Sequence, residues 1–150
     1  MDNLLKVLLI GPPQSGKSTL ANYLSGRTDV ISKSYRPTVG VRILTTTKTI
    51  VHSYAPDGDD FTVQLWDLSC DPKYENGWLA AKQDCDGIII VQNGDIRFNE
   101  HDFQGLIINF PKNMNIQPSL CLGFLHHPSG NVDPVKHQGK LSLELNAMMS

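Results

Sequence analysis

The octapeptide Gly11-Pro12-Pro13-Gln14-Ser15-Gly16-Lys17-Ser18 has the spacing G-x-x-x-x-G-K-S and is followed by Thr19. Such a segment constrains the fold because its backbone N–H groups surround phosphate only where it joins a buried strand to the first turn of a helix. The flanking sequence meets both conditions. Leu4–Ile10 is a short apolar run broken only by Lys6, the pattern of a parallel strand covered on both faces. Leu20, Ala21 and Leu24 recur at helical spacing before Ser25-Gly26 stops the run. Within the loop, the Lys17 ammonium would neutralise β- and γ-phosphate charge, and the Ser18 hydroxyl would ligate Mg2+. Gly16, without a Cβ, lets the backbone approach a phosphate closely. Pro13, Gln14, Ser15 and Thr19 complete the expected phosphate cradle, although Pro12 and Pro13 remove two N–H donors. The bland alternative is a glycine-rich turn whose Lys and Ser cap a helix.

The rest of the chain continues as strands and helices. Val41–Val51 and Phe61–Trp66 are β-branched or alternating, and Pro56-Asp57-Gly58 between them has turn chemistry, which predicts an antiparallel hairpin. Gly87–Gln92 reads as a buried strand, His101–Phe110 as an amphipathic helix and Ser119–Leu125 as a further strand. The fold class is α/β: a P-loop NTPase with an open mixed sheet and helices on both faces. Beyond His126 the composition turns to Pro, Ser, Gly, Asn, Asp and Lys through Lys140. Leu141–Met149 is too short to supply both a last strand and a last covering helix, so one domain over residues 1–150, C-terminally short, with one undercovered face, is expected.

Charge narrows the function classes. With 13 Lys+Arg against 15 Asp+Glu the formal charge is −2, and no basic block argues for nucleic acid or an anionic membrane surface as partner. The longest apolar stretches fall short of the ~20 residues that span a bilayer. Asp2 excludes N-myristoylation, and the last cysteine lies far from the C-terminus, so no membrane anchor is expected in this chain. The three cysteines, Cys70, Cys85 and Cys121, fit neither a disulfide framework nor a zinc site, and a cytoplasmic compartment follows. Cys85 and Cys121 read as small core residues.

Two further segments can complete a nucleotide site. Tyr35-Arg36-Pro37-Thr38-Val39-Gly40 lies where a mobile loop can fold over a nucleotide, with Thr38 offering a hydroxyl to Mg2+ and an N–H to a γ-phosphate. Leu65-Trp66-Asp67 ends a strand in an acidic residue, so Asp67 can hold Mg2+ through water. Taken in order, G-x-x-x-x-G-K-S, P-T-x-G-V and W-D-x-x-x-D-x-K-Y-E resemble a Ras-superfamily small GTPase of the Rab-like type. Pro37–Leu44, Leu65-Trp66-Asp67 with Asp71-Pro72-Lys73-Tyr74-Glu75, Gln117-Pro118-Ser119-Leu120 and His126-His127-Pro128 are similar, more narrowly, to the small Rab-like GTPase subunit of the intraflagellar transport B complex. The resemblance covers about residues 4–145. It implies GTP/GDP and Mg2+ as ligands, docking on coiled-coil subunits of that complex, and work in the cytoplasm and in the cilium or flagellum and its base.

The departures from the family pattern bear on catalysis and base recognition. Where small GTPases carry D-x-x-G followed by Gln, this chain has Cys70 and Asp71. Asp71 is short and anionic and repels a γ-phosphate, so hydrolysis is expected to be slow or absent, with Asp71 as a doubtful catalytic residue. Where the family carries N-K-x-D, the chain reads His126-His127-Pro128-Ser129, leaving His126, His127 and Pro128 at the base pocket without the acidic guanine reader. Three classes stay open: a Mg-GTP-binding subunit acting through a partner, a nucleotide-independent interaction module, and a P-loop kinase or ATPase. The kinase reading wants several arginines in the second half of the chain, where only Arg97 stands. For docking, Tyr35, Tyr74 and Trp78 are expected as exposed aromatic anchors beside the switch segments.

Overall fold

The structure, a computed structural model, describes residues 3–27 and 39–129. Residues 130–140 of the expected loop, Leu141–Met149, Tyr35 and Thr38 lie outside the described residues. Along the chain run β1 (Leu4–Ile10), α1 (Lys17–Leu24), β2 (Val41–His52), β3 (Ala55–Leu68), α2 (Trp78–Lys82), β4 (Gly87–Asn93), α3 (Glu100–Ile107) and β5 (Cys121–His126). The five strands form one mixed sheet in the order β2-β3-β1-β4-β5. β1 pairs in parallel with β3 on one side and β4 on the other, and only β2 runs antiparallel, at the edge. From β1 the chain goes first to one side of the sheet and then crosses to the other. The carboxyl end of β1 is therefore the switch point at which open α/β sheets bind ligands.

Alternation along β1 divides the core between two faces. Leu8 and Ile10 join Leu68, Trp78, Ile88, Ile90, Phe103, Ile107 and Phe110 on the α2/α3 side. Leu9 joins Leu20, Ala21, Leu44, Leu65 and Val91 under α1. On that second face β5 is poorly covered: Leu122 and Phe124, paired with Ile89 and Val91, stand 59% and 37% exposed. Lys6, which interrupts the apolar run of β1, is itself buried. Its ammonium donates to the Ala80 and Gln83 carbonyls (3.1 and 2.7 Å) and lies 3.7 Å from the Trp66 ring centroid. It thus satisfies carbonyls that the end of α2 leaves unpaired. Burial pushes the Lys6 pKa down, opposed by the nearby Cys85 and Asp84.

Several expectations need correction. The hairpin turn is Ser53-Tyr54, not Pro56-Asp57-Gly58, which lies within β3. Ile50 pairs with Asp59 but His52 with Ala55, so the Pro-Asp-Gly chemistry serves a bulge, and Gly58 takes a left-handed φ of 89° there. α3 starts at Glu100, one residue before the expected His101, and ends at Ile107, short of the expected Phe110. Asn99 caps it by accepting from the Asp102 N–H (3.1 Å), and Ile108–Lys112 continues as a wider turn containing Pro111. Ser119 and Leu120 belong to a short 3-10 turn, so the last strand begins at Cys121. Trp78 is no exposed anchor. Its ring packs on Phe110, with centroids 5.0 Å apart, and its Nε1 donates to the Ser69 carbonyl (3.0 Å). With 8% exposure it belongs to the core.

Candidate functional site

The phosphate loop leaves β1 at Gly11 and enters α1 at Lys17. Gly11 is held so close to β4 that a Cβ would be driven into the Val91 carbonyl oxygen. Pro12 accepts from the Ser15 N–H (3.2 Å), which closes a tight turn, and Gln14 adopts a left-handed φ of 62°. Gly16 adopts a φ of 98°, and a Cβ on it would come within 2.5 Å of the His126 ring. Glycine is thus demanded there both by the backbone and by a neighbour. No side chain caps the first turn of α1, and no acidic residue lies in it, so its N–H groups and positive dipole end remain available to an anion. Lys17 and Ser15 are buried, Pro13, Gln14 and Thr19 exposed. The Ser15 Oγ is among the buried polar atoms without a partner.

The acidic end of the site joins three elements. The Ser18 Oγ donates to Asp67 Oδ2 (2.6 Å), which ties α1 to the end of β3. Asp67 is fully buried, and its other oxygen, Oδ1, has no hydrogen-bond partner. A hydroxyl beside a buried carboxylate with a spare oxygen is the hard-oxygen donor set that suits Mg2+, so the residues present fit that ion. Arg42, opposite Asp67 in the β2–β3 register, completes the group. Its Nη2 donates to Asp67 Oδ2 (3.3 Å) and to the Ser18 carbonyl (3.2 Å). Sequence reasoning missed Arg42. The available signal was its place just after P-T-x-G-V, on a strand paired with the one ending in Asp67.

Cys70 and Asp71 follow directly on β3. Burial raises the Cys70 pKa, while the Lys17 ammonium and the Gly11 N–H pull it down, which locates the thiol against the loop. No left-handed φ is needed at Cys70, so its Cβ is accommodated. The Asp71 carboxylate caps the 3-10 turn Pro72–Gly77, accepting from the Lys73 N–H (3.1 Å), and Lys73 Nζ stands 3.8 Å away.

At the base end both histidines have internal duties. The His126 ring lies against Gly16, and its carbonyl accepts from the Gly94 N–H (2.7 Å). The His127 ring packs over Gly94, with Nδ1 3.3 Å from Asp95 Oδ1. Asp95 also accepts from the Ser129 N–H (2.8 Å) and Oγ (3.0 Å), so a carboxylate does stand beside His127-Pro128-Ser129, engaged in fixing that loop. Those Ser129 hydrogen bonds, and secondarily His127, hold the Asp95 pKa below the ordinary value. Asn93 links the two loops: its Nδ2 donates to the Gln14 carbonyl (3.2 Å), and its Oδ1 accepts from the Asp95 N–H (2.9 Å). Asn93 and Asp95 were not legible as site residues, because contiguous motifs single out neither.

Comparison with known proteins bears on the fold and the family. The family described as the Ras of Complex (Roc) domain of DAPkinase matches residues 6–121. Intraflagellar transport protein 22 homolog of Xenopus tropicalis is 36% identical over 131 residues, covering 85% of this chain and 67% of that protein. The Homo sapiens homolog is 36% identical over 138 residues, covering 92% of this chain and 71% of the relative. The crystal structure of Trypanosoma brucei IFT22/74/81 bound to GTP superposes with a TM-score of 0.72 at 33% identity, covering 91% of this chain and 74% of its counterpart. The sheet order, the phosphate loop at its switch point and these matches agree: the chain belongs to the intraflagellar transport protein 22 family and carries its Roc/Ras-like small-GTPase domain.

Proposed function

We propose that residues 1–150 act as one guanine-nucleotide-binding subunit of intraflagellar transport that docks on coiled-coil subunits of the B complex, in the cytoplasm and in the cilium or flagellum and its base. The observation that carries this reading is the joint geometry of the uncapped, left-handed Gly16 entry to α1, the buried Lys17, and the Ser18–Asp67 contact of 2.6 Å. In it, the Gly11–Ser18 backbone and Lys17 bind GTP or GDP phosphates, Ser18 and Asp67 hold Mg2+, and Thr38 joins them. Mg2+ would supply charge neutralisation at the β- and γ-phosphates; this chain's residues orient the nucleotide and exclude water around it. His126, His127 and Pro128 border the base. With both rings packed internally and Asp95 occupied by Ser129, preference for guanine over adenine is weaker than a free carboxylate would give.

The docking side is the start of β2, where Val39, Val41 and Ile43 are 74%, 40% and 46% exposed next to the Thr38 segment. An apolar row beside a nucleotide-sensing loop suits a helical partner with an apolar stripe. The similar GTP-bound structure holds its IFT22 together with IFT74 and IFT81, which supports partners of that complex for this chain.

The test is the nucleotide content of the purified protein, by denaturation and chromatography, followed by calorimetry with GTP. Lys17 makes charge-assisted contacts worth about 1.5–3 kcal/mol each, so Lys17→Ala weakens binding tenfold or more. Equal affinity for wild type and variant would remove the phosphate-loop assignment.

A further inference from the structure

Where β4 ends, Asn93-Gly94-Asp95 reaches two other loops at once. On one side Asn93 Nδ2 donates to the Gln14 carbonyl (3.2 Å) in the phosphate loop. Gln14 carries a side chain at a left-handed φ of 62°, a conformation that persists only where the surroundings hold it. On the other side the Asp95 carboxylate accepts from both the N–H and the Oγ of Ser129 (2.8 and 3.0 Å), with His127 Nδ1 at 3.3 Å. The two sides are joined within three residues, because Asn93 Oδ1 accepts from the Asp95 N–H (2.9 Å). Packing closes the ring. The His126 side chain lies against Gly16, and the His127 ring lies so close over Gly94 that a Cβ there would be driven into it.

The Asn93 and Asp95 side-chain bonds are not needed to hold the sheet. The parallel register from Ile88–Cys121 to Asn93–His126 already pairs β4 with β5, and Asp95, Pro128 and Ser129 lie outside the core. What these bonds fix is a short polar loop that has no apolar anchor of its own, and a loop of that kind is otherwise free to sample many conformations. A carboxylate that takes two hydrogen bonds from one residue leaves that residue a single position.

We propose that Asp95 and Asn93 are positioning residues of the nucleotide site: Asp95 sets where His127-Pro128-Ser129 stands at the base, and Asn93 locks that loop to the phosphate loop at Gln14. This rests on the nucleotide-binding reading given above. Base and phosphates then meet one preformed unit, and the nucleotide does not have to order the loop as it binds.

The experiment titrates the full chain with N-methylanthraniloyl-GTP in MgCl2 and follows amide hydrogen exchange of the same proteins before nucleotide is added. Wild type, Asp95→Ala, Asp95→Asn and Asn93→Ala are compared, with thermal melts to establish that each is folded. Re-fixing one freed residue on binding corresponds to roughly five- to thirtyfold in affinity, so Asp95→Ala should weaken binding by about that factor. Asp95→Asn, whose amide oxygen can still accept from the Ser129 N–H, should return to within about threefold of wild type. Exchange should rise over residues 126–129 in Asp95→Ala, and over both 126–129 and 11–16 in Asn93→Ala. An Asp95→Ala that binds within about threefold of wild type overturns the proposal, as does an Asp95→Asn as weak as Asp95→Ala, or an Asn93→Ala in which exchange rises in one loop alone. Absence of nucleotide binding by wild type would instead overturn the underlying nucleotide reading, and this proposal with it.

Discussion

Asp71 occupies the position where small GTPases carry the glutamine that orients water, yet its carboxylate is already engaged, capping Pro72–Gly77 through the Lys73 N–H. A short anionic group held by its own turn can neither reach out to a water nor approach a γ-phosphate without repulsion. Single-turnover hydrolysis should therefore run at or below about 3–5 × 10⁻⁴ s⁻¹, the unaided rate of Ras. Asp71→Gln removes the charge and should raise that rate, while loss of the cap costs about 1 kcal/mol in a thermal melt. A wild-type rate above ~10⁻² s⁻¹ would show that Asp71 participates in the chemistry after all. Cys121 makes a separate prediction about pH. Burial pushes its thiol from 9.0 up to about 11, so the folded protein keeps a proton that the unfolded chain releases. The stability from this raised pKa is complete below pH 9 and is lost as pH rises through about 11. Its full size is at most ~2.7 kcal/mol. Melting temperatures from pH 8 to 11 should fall less steeply for Cys121→Ala than for wild type, although that variant starts from a lower value. Parallel slopes would mean the thiol is hydrated in the folded state.

Trp78 shows how an aromatic expected on the surface can belong to the core. It opens α2, and tertiary contacts rather than helical propensity hold it: the Phe110 ring on one side and the Ser69 carbonyl at the indole nitrogen. Trp78→Phe should lose chiefly that hydrogen bond, about 1 kcal/mol, whereas Trp78→Ala opens a cavity and should cost about 3–5 kcal/mol. Chemical denaturation followed by far-UV circular dichroism measures both, and near-equal losses would mean that packing contributes little there. Preceded by Gly77 and followed by Leu79-Ala80-Ala81, Trp78 sits in too short an apolar run to show which face it takes, so its burial was not legible. The limits of β1, by contrast, were legible to the residue, because a buried parallel strand bounded by a glycine loop is an unmistakable pattern. Pro56-Asp57-Gly58 misled because turn residues and bulge residues share the same backbone demands, and only the register between Ile50 and His52 separates them. The phosphate loop and Asp67 were readable as contiguous motifs. Arg42, Asn93 and Asp95 were not, since they reach the site through strand pairing and loop packing across distant parts of the chain.

Every candidate ligand group among the described residues sits at the carboxyl end of β1, β3, β4 or β5, or on α1 and β2 beside them, so the proposed nucleotide site and the start of β2 share one end of the sheet. The exposed Val39, Val41 and Ile43 lie immediately after Thr38 and lead into Arg42, which joins β2 to Ser18 and Asp67. A change at the phosphates would therefore reach β2, the proposed docking strand, through a short chain of contacts. Coupling of about 1–3 kcal/mol is usual for such switches and corresponds to roughly 5- to 150-fold in partner affinity. GTP should accordingly favour binding to the coiled-coil core over GDP, though Cys70, packed on the loop in place of a mobile glycine, limits the response from the other side. Val41→Asp should weaken docking by about tenfold or more without changing GTP affinity, because its side chain is exposed and touches no ligand group. Pull-downs of the coiled-coil core with wild type and Thr38→Ala, each in GTP and in GDP, separate the readings. Loss of the GTP advantage in Thr38→Ala, with wild-type binding in GDP, is the expected pattern. Identical binding in all four conditions would leave a nucleotide-independent interaction module, and Val41→Asp would then still report whether β2 is the face it uses.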